Sequence, residues 1–143
     1  DPGETTVLVQ HIPAGYTQEM LMDEWRLAGL IDLLFLPLTS QGHRNRSYAV
    51  VNFTSRAHAL AFYQQWHGRA LRDGWRARPL AVRRSKVQGF FPALDCVAMS
   101  NGRRRSGWCL PLLPLGFHGV ARLDMQRLME DLAKQSPRRD PVL

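Results

Sequence analysis

Arg46-Ser47-Tyr48-Ala49-Val50-Val51-Asn52-Phe53 carries the reading of this chain. The run is rich in β-branched and aromatic residues, which suit a pleated strand. Side chains of a strand point alternately to its two faces. Ala49, Val51 and Phe53 therefore share an apolar face that should pack as core. Arg46, Tyr48 and Val50 share the other, where a cation and a phenol can meet a ligand.

On the N-terminal side, Thr39 to Arg46 reads as a polar loop around Gly42, preceded by a strand over Asp32 to Leu38. Alternation there turns Leu34 and Leu36 inward and Phe35 outward, although Phe35 reads equally well as core. A helix is expected from about Gln18 to Ala28, capped by Thr17 and closed by Gly29, with Met20, Leu21, Trp25 and Ala28 on its buried face. Before it, Thr5 to Ile12 reads as a strand broken by Pro13-Ala14-Gly15, with Val7 and Val9 inward and Leu8 and Gln10 outward. On the C-terminal side, Thr54 or Ser55 caps a second helix ending near His67-Gly68, whose apolar face is Ala59, Phe62, Tyr63 and Trp66. Gly74 turns the chain, and Leu80 to Arg83 makes a short fourth strand. A short third helix fits Phe90 to Ser100. Arg103-Arg104-Arg105 then opens a Pro-interrupted linker, and an amphipathic helix fits Ala121 to Lys134, with Met125, Leu128, Met129 and Leu132 on one side.

The order βαββαβ predicts an α+β sandwich: a four-stranded antiparallel sheet with two helices on one face and a C-terminal helical extension. The other sheet face must be covered by something else or do the binding. Residues 1 to 100 are expected to form one domain that includes the third helix, and 101 to 143 its basic linker and terminal helix.

With 143 residues, 45% of them apolar, the chain can bury one real core. The most apolar run, Leu110 to Leu115, is broken by Pro111 and Pro114 and is too short for a membrane span. The expectation is an intracellular protein, nuclear or cytoplasmic, without membrane contact. The chain begins at Asp1 with no basic-then-apolar leader, so secretion is not expected, and the missing initiator Met suggests a piece of a longer protein. Cys96 and Cys109 lack metal-ligand spacing with His118 and read as reduced thiols. His11, His43, His58 and His67 have no nucleophile or base partner, and neither paired carboxylates nor a Gly-rich phosphate loop appears. No enzyme and no cofactor are expected.

The charge is unevenly placed. Residues 1 to 71 carry five Arg against six acids, whereas residues 72 to 105 carry nine Lys or Arg against Asp73 and Asp95, a net +7 equal to that of the whole chain. Such a one-sided tract suits a polyanion. Arg83, Arg84 and Lys86 lie on or beside the fourth strand, where they can track a phosphate backbone. Trp75 among these arginines is either a stacking ring or a loop anchor.

Residues 46 to 53 match five of the seven specified positions of the third-strand pattern K/R-G-F/Y-G/A-F-V-x-F/Y of the RNA recognition motif, a ferredoxin-like fold. The chain resembles that motif, with Val7 to Ile12 as the companion strand. Tyr48 and Arg46, then Leu8, Gln10, Val50 and Phe35, are the candidate sheet-face contacts to single-stranded RNA, with Arg83, Arg84 and Lys86 beside them. Leu8 and Val50 stand where the motif usually carries stacking rings.

Ile12-Pro13, Tyr16-Thr17-Gln18-Glu19-Met20-Leu21, Leu36-Pro37, Tyr48-Ala49, Asn52-Phe53-Thr54-Ser55, Phe62-Tyr63-Gln64, His67-Gly68-Arg69 and Val87-Gln88-Gly89 make the resemblance narrower. This ordered string is similar to the C-terminal RNA recognition motif of the Mei-two-like regulators, over about residues 5 to 100. The resemblance implies an RNA-binding module with a third helix after the fourth strand, in proteins that govern meiosis or development. In that family Ser47 would usually be Gly, Val50 would be Phe and Arg84 often Tyr, so this copy diverges on its binding surface. Two functional readings stay open. One is a binder of single-stranded RNA. The other is a degenerate motif that recognises a protein partner, with the C-terminal helix lying across its sheet.

Overall fold

A computed structural model describes residues 4–39, 42–73, 78–102 and 109–114. The order is β1 (Thr6–Gln10), α1 (Gln18–Trp25), β2 (Ile31–Phe35), β3 (Tyr48–Phe53), α2 (Arg56–Trp66), β4 (Ala81–Arg84) and α3 (Phe90–Gly102). The strands form one antiparallel sheet in the order β2-β3-β1-β4. This is the ferredoxin-like βαββαβ sandwich that the pattern predicts. The expected terminal helix over Ala121 to Lys134 lies outside the described residues, as do Trp75 and Arg103 to Arg105.

The first two helices start where their caps dictate. The Thr17 hydroxyl accepts from Met20 N (3.2 Å), and the Ser55 hydroxyl accepts from His58 N (3.2 Å), each satisfying a first-turn donor that has no helical acceptor. α1 stops three residues sooner than expected. Arg26 takes a left-handed conformation (φ 53°), and its N–H and that of Leu27 donate back to Asp23 O and Met22 O, a turn that ends helical bonding. The early stop swings Leu27 inward and leaves Ala28 exposed; Met20, in the first turn, is exposed as well, so Leu21 and Trp25 are the buried residues of α1. In α2 the buried pair is Ala59 and Phe62, while Tyr63 is exposed.

Between the helices and the sheet, Val7, Val9, Leu34, Leu36, Ala49, Val51, Phe53 and Val82 meet Leu21, Trp25, Ala59 and Phe62 in the main core. Trp25 and Phe62 pack edge to face, with ring centroids 5.0 Å apart.

A second apolar cluster lies on the other sheet face. Leu33, Phe35 and Val50 are buried there under Ala93, Leu94, Val97 and Ala98 of α3, with Cys109 beside them. The described part of the Pro-interrupted segment is therefore packed structure rather than a free linker. Leu112 pairs with Leu34 on the outer edge of β2, N–H to O in both directions (2.8 and 2.9 Å). Gln18 of α1 ties the two together: its Oε1 accepts from Leu36 N (2.9 Å) and its Nε2 donates to Leu110 O (3.1 Å). Asn101, near the end of α3, accepts from Cys109 N and donates to Cys109 O (2.6 and 2.8 Å). Cys96 and Cys109 are buried and form no disulfide. Among the described residues, no helix is long and apolar enough to cross a membrane.

Candidate nucleic-acid interface

The register aligns the candidate residues in rows. Phe35 lies opposite Val50, Val50 opposite Leu8, and Leu8 opposite Arg83, one row running across all four strands. The next row holds Tyr48, Gln10 and Ala81. Directly opposed residues project to the same face, so the alternation read from the sequence brings Phe35, Val50, Leu8, Gln10, Tyr48 and Arg83 together.

The rows differ in accessibility, because α3 packs on β2 and β3. Phe35 is 2% exposed and Val50 1%. Both face away from α1 and α2 as expected, but neither is open to solvent. Among the described residues the cover is α3 with residues 109 to 114; the terminal helix that one reading laid across the sheet lies outside the described residues. Leu8 and Tyr48 are half-buried at the margin of that cluster. Gln10 and Ala81 are half-buried, and Arg83, Arg46 and Lys86 are exposed. What remains is a strip from the start of β3 across β1 to β4: phenol, amide, aliphatic carbon and guanidinium in sequence, with cations at both ends.

Arg84 does not belong to this strip. It lies opposite Val7, a residue of the main core, and follows Val82 by two on β4, so it projects to the side of α1 and α2. There its Nε donates to the Glu4 carboxylate. Adjacent arginines of one strand serve opposite faces.

Burial pushes the Tyr48 phenol above its ordinary range, with Arg46 working against the shift and Cys109 adding to it. The ring is thus held neutral, as a stacking surface that can also donate a hydrogen bond. Arg46 is steered by its own loop, its Nε donating to Leu38 O (3.2 Å). Asn45 fixes the approach to β3: its buried Nδ2 donates to Pro13 O and Tyr16 O, and its Oδ1 accepts from Ser47 N. Ser47 itself is left-handed, at φ 68°, a region that costs an L-residue with a Cβ roughly 1–2 kcal/mol.

Sequence reasoning missed the residues that hold the cover. The Thr6 hydroxyl donates to Asn52 Oδ1 (2.6 Å) and accepts from Gly89 N (2.8 Å), and Gln88 bonds the backbone of β1 on both sides of Thr6. The block Val87-Gln88-Gly89, between the end of β4 and the start of α3, was the available signal.

Residues 4–90 match the family model described as RNA recognition motif 2. Protein MEI2-like 2 of Oryza sativa subsp. japonica is 27% identical over 121 residues, which are 82% of this chain and 14% of that protein. The chain therefore spans about a seventh of the relative it matches. The N-terminal RNA binding domain of a hypothetical protein superposes with a TM-score of 0.52 at 22% identity, over 61% of this chain and 84% of that one. A chain of the Sxl-lethal protein/RNA complex does so with a TM-score of 0.52 at 22% identity, over 57% of this chain and 48% of that one. At that identity the two structures speak for the fold.

Proposed function

Because the chain belongs to the RNA recognition motif 2 family, with MEI2-like relatives, we propose that it is a non-catalytic module binding single-stranded RNA on the half of its sheet that α3 leaves open. Tyr48 stacks on a base, Gln10 reads a base edge, Leu8 gives apolar contact, and Arg46, Arg83 and Lys86 hold phosphates. The observation that carries this reading is the strip from Arg46 through Tyr48, Gln10 and Leu8 to Arg83, which stays accessible on the face away from α1 and α2.

Magnitudes decide against an RNA that pushes α3 aside. Re-exposing Phe35 forfeits burial worth roughly 1.5–3 kcal/mol, and Leu33, Val50, Leu94 and Val97 would be uncovered with it. One stacked base returns about 1–3 kcal/mol. The cover holds, so Phe35 and Val50 shape the platform from beneath and do not touch RNA. Arg84, paired to Glu4 on the other side, acts only through long-range charge. The resemblance to Mei-two-like regulators supports, as part of this proposal, a role in meiotic or developmental control of transcripts.

A titration of the chain with single-stranded RNA, duplex RNA and single-stranded DNA, each at low and high salt, tests the proposal. Single-stranded RNA should bind tightest, with affinity falling steeply as salt rises. Equal affinity for the duplex, or indifference to salt, would remove the strip and its cations from the mechanism. The protein-recognition reading would then be the better one, since α3 already fills the space two stacked bases would need.

A further inference from the structure

On the side away from the strip, α2 and the outer end of β4 enclose a cleft of about 260 Å³. Val7, Ala59 and Val82, all buried core residues, are among its lining. Leu60 and Tyr63 of α2 line it as well and are 47% and 43% exposed. Three residues apart on a helix, they share a face. Two large apolar groups thus stand in water beside an apolar recess. Arg56 and Arg84 line the same cleft against one carboxylate, Glu4, with Arg83 at the β4 edge between cleft and strip, so positive charge is in excess.

The chemistry of the occupant follows from what the cleft offers. Its backbone edge is partly spent: Val82 N donates to His67 Nδ1 (3.0 Å) and Leu80 N to Arg69 O (2.8 Å). A partner cannot simply add a strand along β4 and must be held by side chains. An apolar side chain suits the recess. A nucleobase does not, because its polar edges would be desolvated against Val7, Ala59 and Val82 without partners, at a cost of roughly 1–3 kcal/mol per group. The arginines call for carboxylates next to that anchor. We propose that the α2–β4 cleft docks a short acidic peptide of a partner protein, in which one aliphatic or aromatic anchor is flanked by Asp or Glu. Arg83 excepted, its lining is separate from the RNA strip, so either proposal can fail without the other.

The test is a selection from a phage-displayed random dodecapeptide library against the folded chain, counter-selected on the double variant Leu60→Asp, Arg84→Glu. Both positions are exposed, and circular dichroism checks that the variant folds; if it does not, Arg56→Glu takes its place. Enriched peptides should carry an apolar anchor among acids, bind the wild type about tenfold tighter than the variant, and resist displacement by oligouridylate. Absence of enrichment, enrichment of neutral or basic peptides, or equal binding to the variant would overturn the proposal. Displacement by oligouridylate would overturn it too, by making the cleft part of an RNA path.

Discussion

Gln88 bonds Thr6 as a neighbouring strand would. Its Oε1 accepts from Thr6 N (2.9 Å) and from Thr5 N (2.9 Å), while its Nε2 donates to Thr6 O and Ser85 O (2.8 and 2.7 Å). One side chain thus satisfies the first residues of β1 and fixes the chain two residues before α3 begins. Gln88→Ala takes the acceptor from Thr5 N and Thr6 N in a part-buried place, while Thr6 O keeps the Ser85 N–H, and each lost partner costs about 1–3 kcal/mol. Urea melts should register a loss of at least that size. Hydrogen exchange should show α3 opening more readily than the sheet; uniform loss of protection would mean that Gln88 does not anchor the cover.

The strand pattern was legible because period two is a strong constraint. Val7 and Val9, then Ala49, Val51 and Phe53, could face one way only, and they do. The resting place of α3 was not legible. Its apolar residues are spread around the helix, with Ala93, Leu94, Cys96, Val97, Ala98 and Met99 all buried, so no stripe marks a docking face and nothing local names the sheet as its target. The strap at 109 to 114 was hidden by Pro111 and Pro114, which read as breakers, although a lone bridge at Leu112 needs no long strand. The sequence set Arg83 and Arg84 together on or beside the fourth strand, and adjacent basic residues look alike until the register turns one of them to each side.

Ser47 explains the glycine that the family usually carries there. At φ 68° it occupies the left-handed region, which glycine enters freely, though glycine also gains freedom in the unfolded chain. Ser47→Gly should therefore stabilise the fold, by about 0.5–1 kcal/mol in chemical denaturation, without changing RNA affinity. A destabilised variant would show that the Ser47 side chain makes a compensating contact.

Tyr16 should make stability depend on alkaline pH. Burial pushes its phenol up to about 12; the Asp73 N–H works against the shift, and the Glu24 carboxylate that accepts from the hydroxyl (2.7 Å) adds to it. A phenol in the unfolded chain titrates near 10, so the folded state favours the protonated form. That contribution is complete below about pH 10 and drains away as pH climbs toward 12. Tyr16→Phe should lower stability at neutral pH by about 0.5–1.5 kcal/mol through the lost hydrogen bonds. It should also flatten the decline above pH 10 relative to wild type; parallel curves would exclude Tyr16 as the titrating group.

Arg83 and Arg84 should separate in an RNA titration. Each phosphate contact on a single strand contributes about −0.7 to the slope of log affinity on log salt. Arg83→Ala, on the strip, should flatten the slope by about that amount. Arg84→Ala, whose guanidinium is paired with Glu4 on the opposite face, should change it by much less. Equal effects from the two would mean that RNA wraps the β4 edge rather than following the sheet face.

Tyr48 and Phe35 provide the sharpest test, because both project from the same sheet face and only one is within reach of a ligand. Phe35 is core, 2% exposed under α3. Its replacement by Ala should cost about 3–5 kcal/mol of stability, while the fraction that stays folded keeps its RNA affinity. Tyr48 is half-buried at the margin of the cover. Tyr48→Ala should cost only about 0.2–1 kcal/mol in cross-strand packing but about 1–3 kcal/mol in binding to single-stranded RNA. Val50→Phe, which restores the ring usual in the family, should behave like neither. Val50 is 1% exposed against α3, so the larger side chain overpacks the second cluster and should destabilise by about 1–3 kcal/mol. If Val50→Phe were instead stable and tightened RNA binding, the ring would have found open space. α3 would then be a cover that lifts, and the RNA would have the whole sheet.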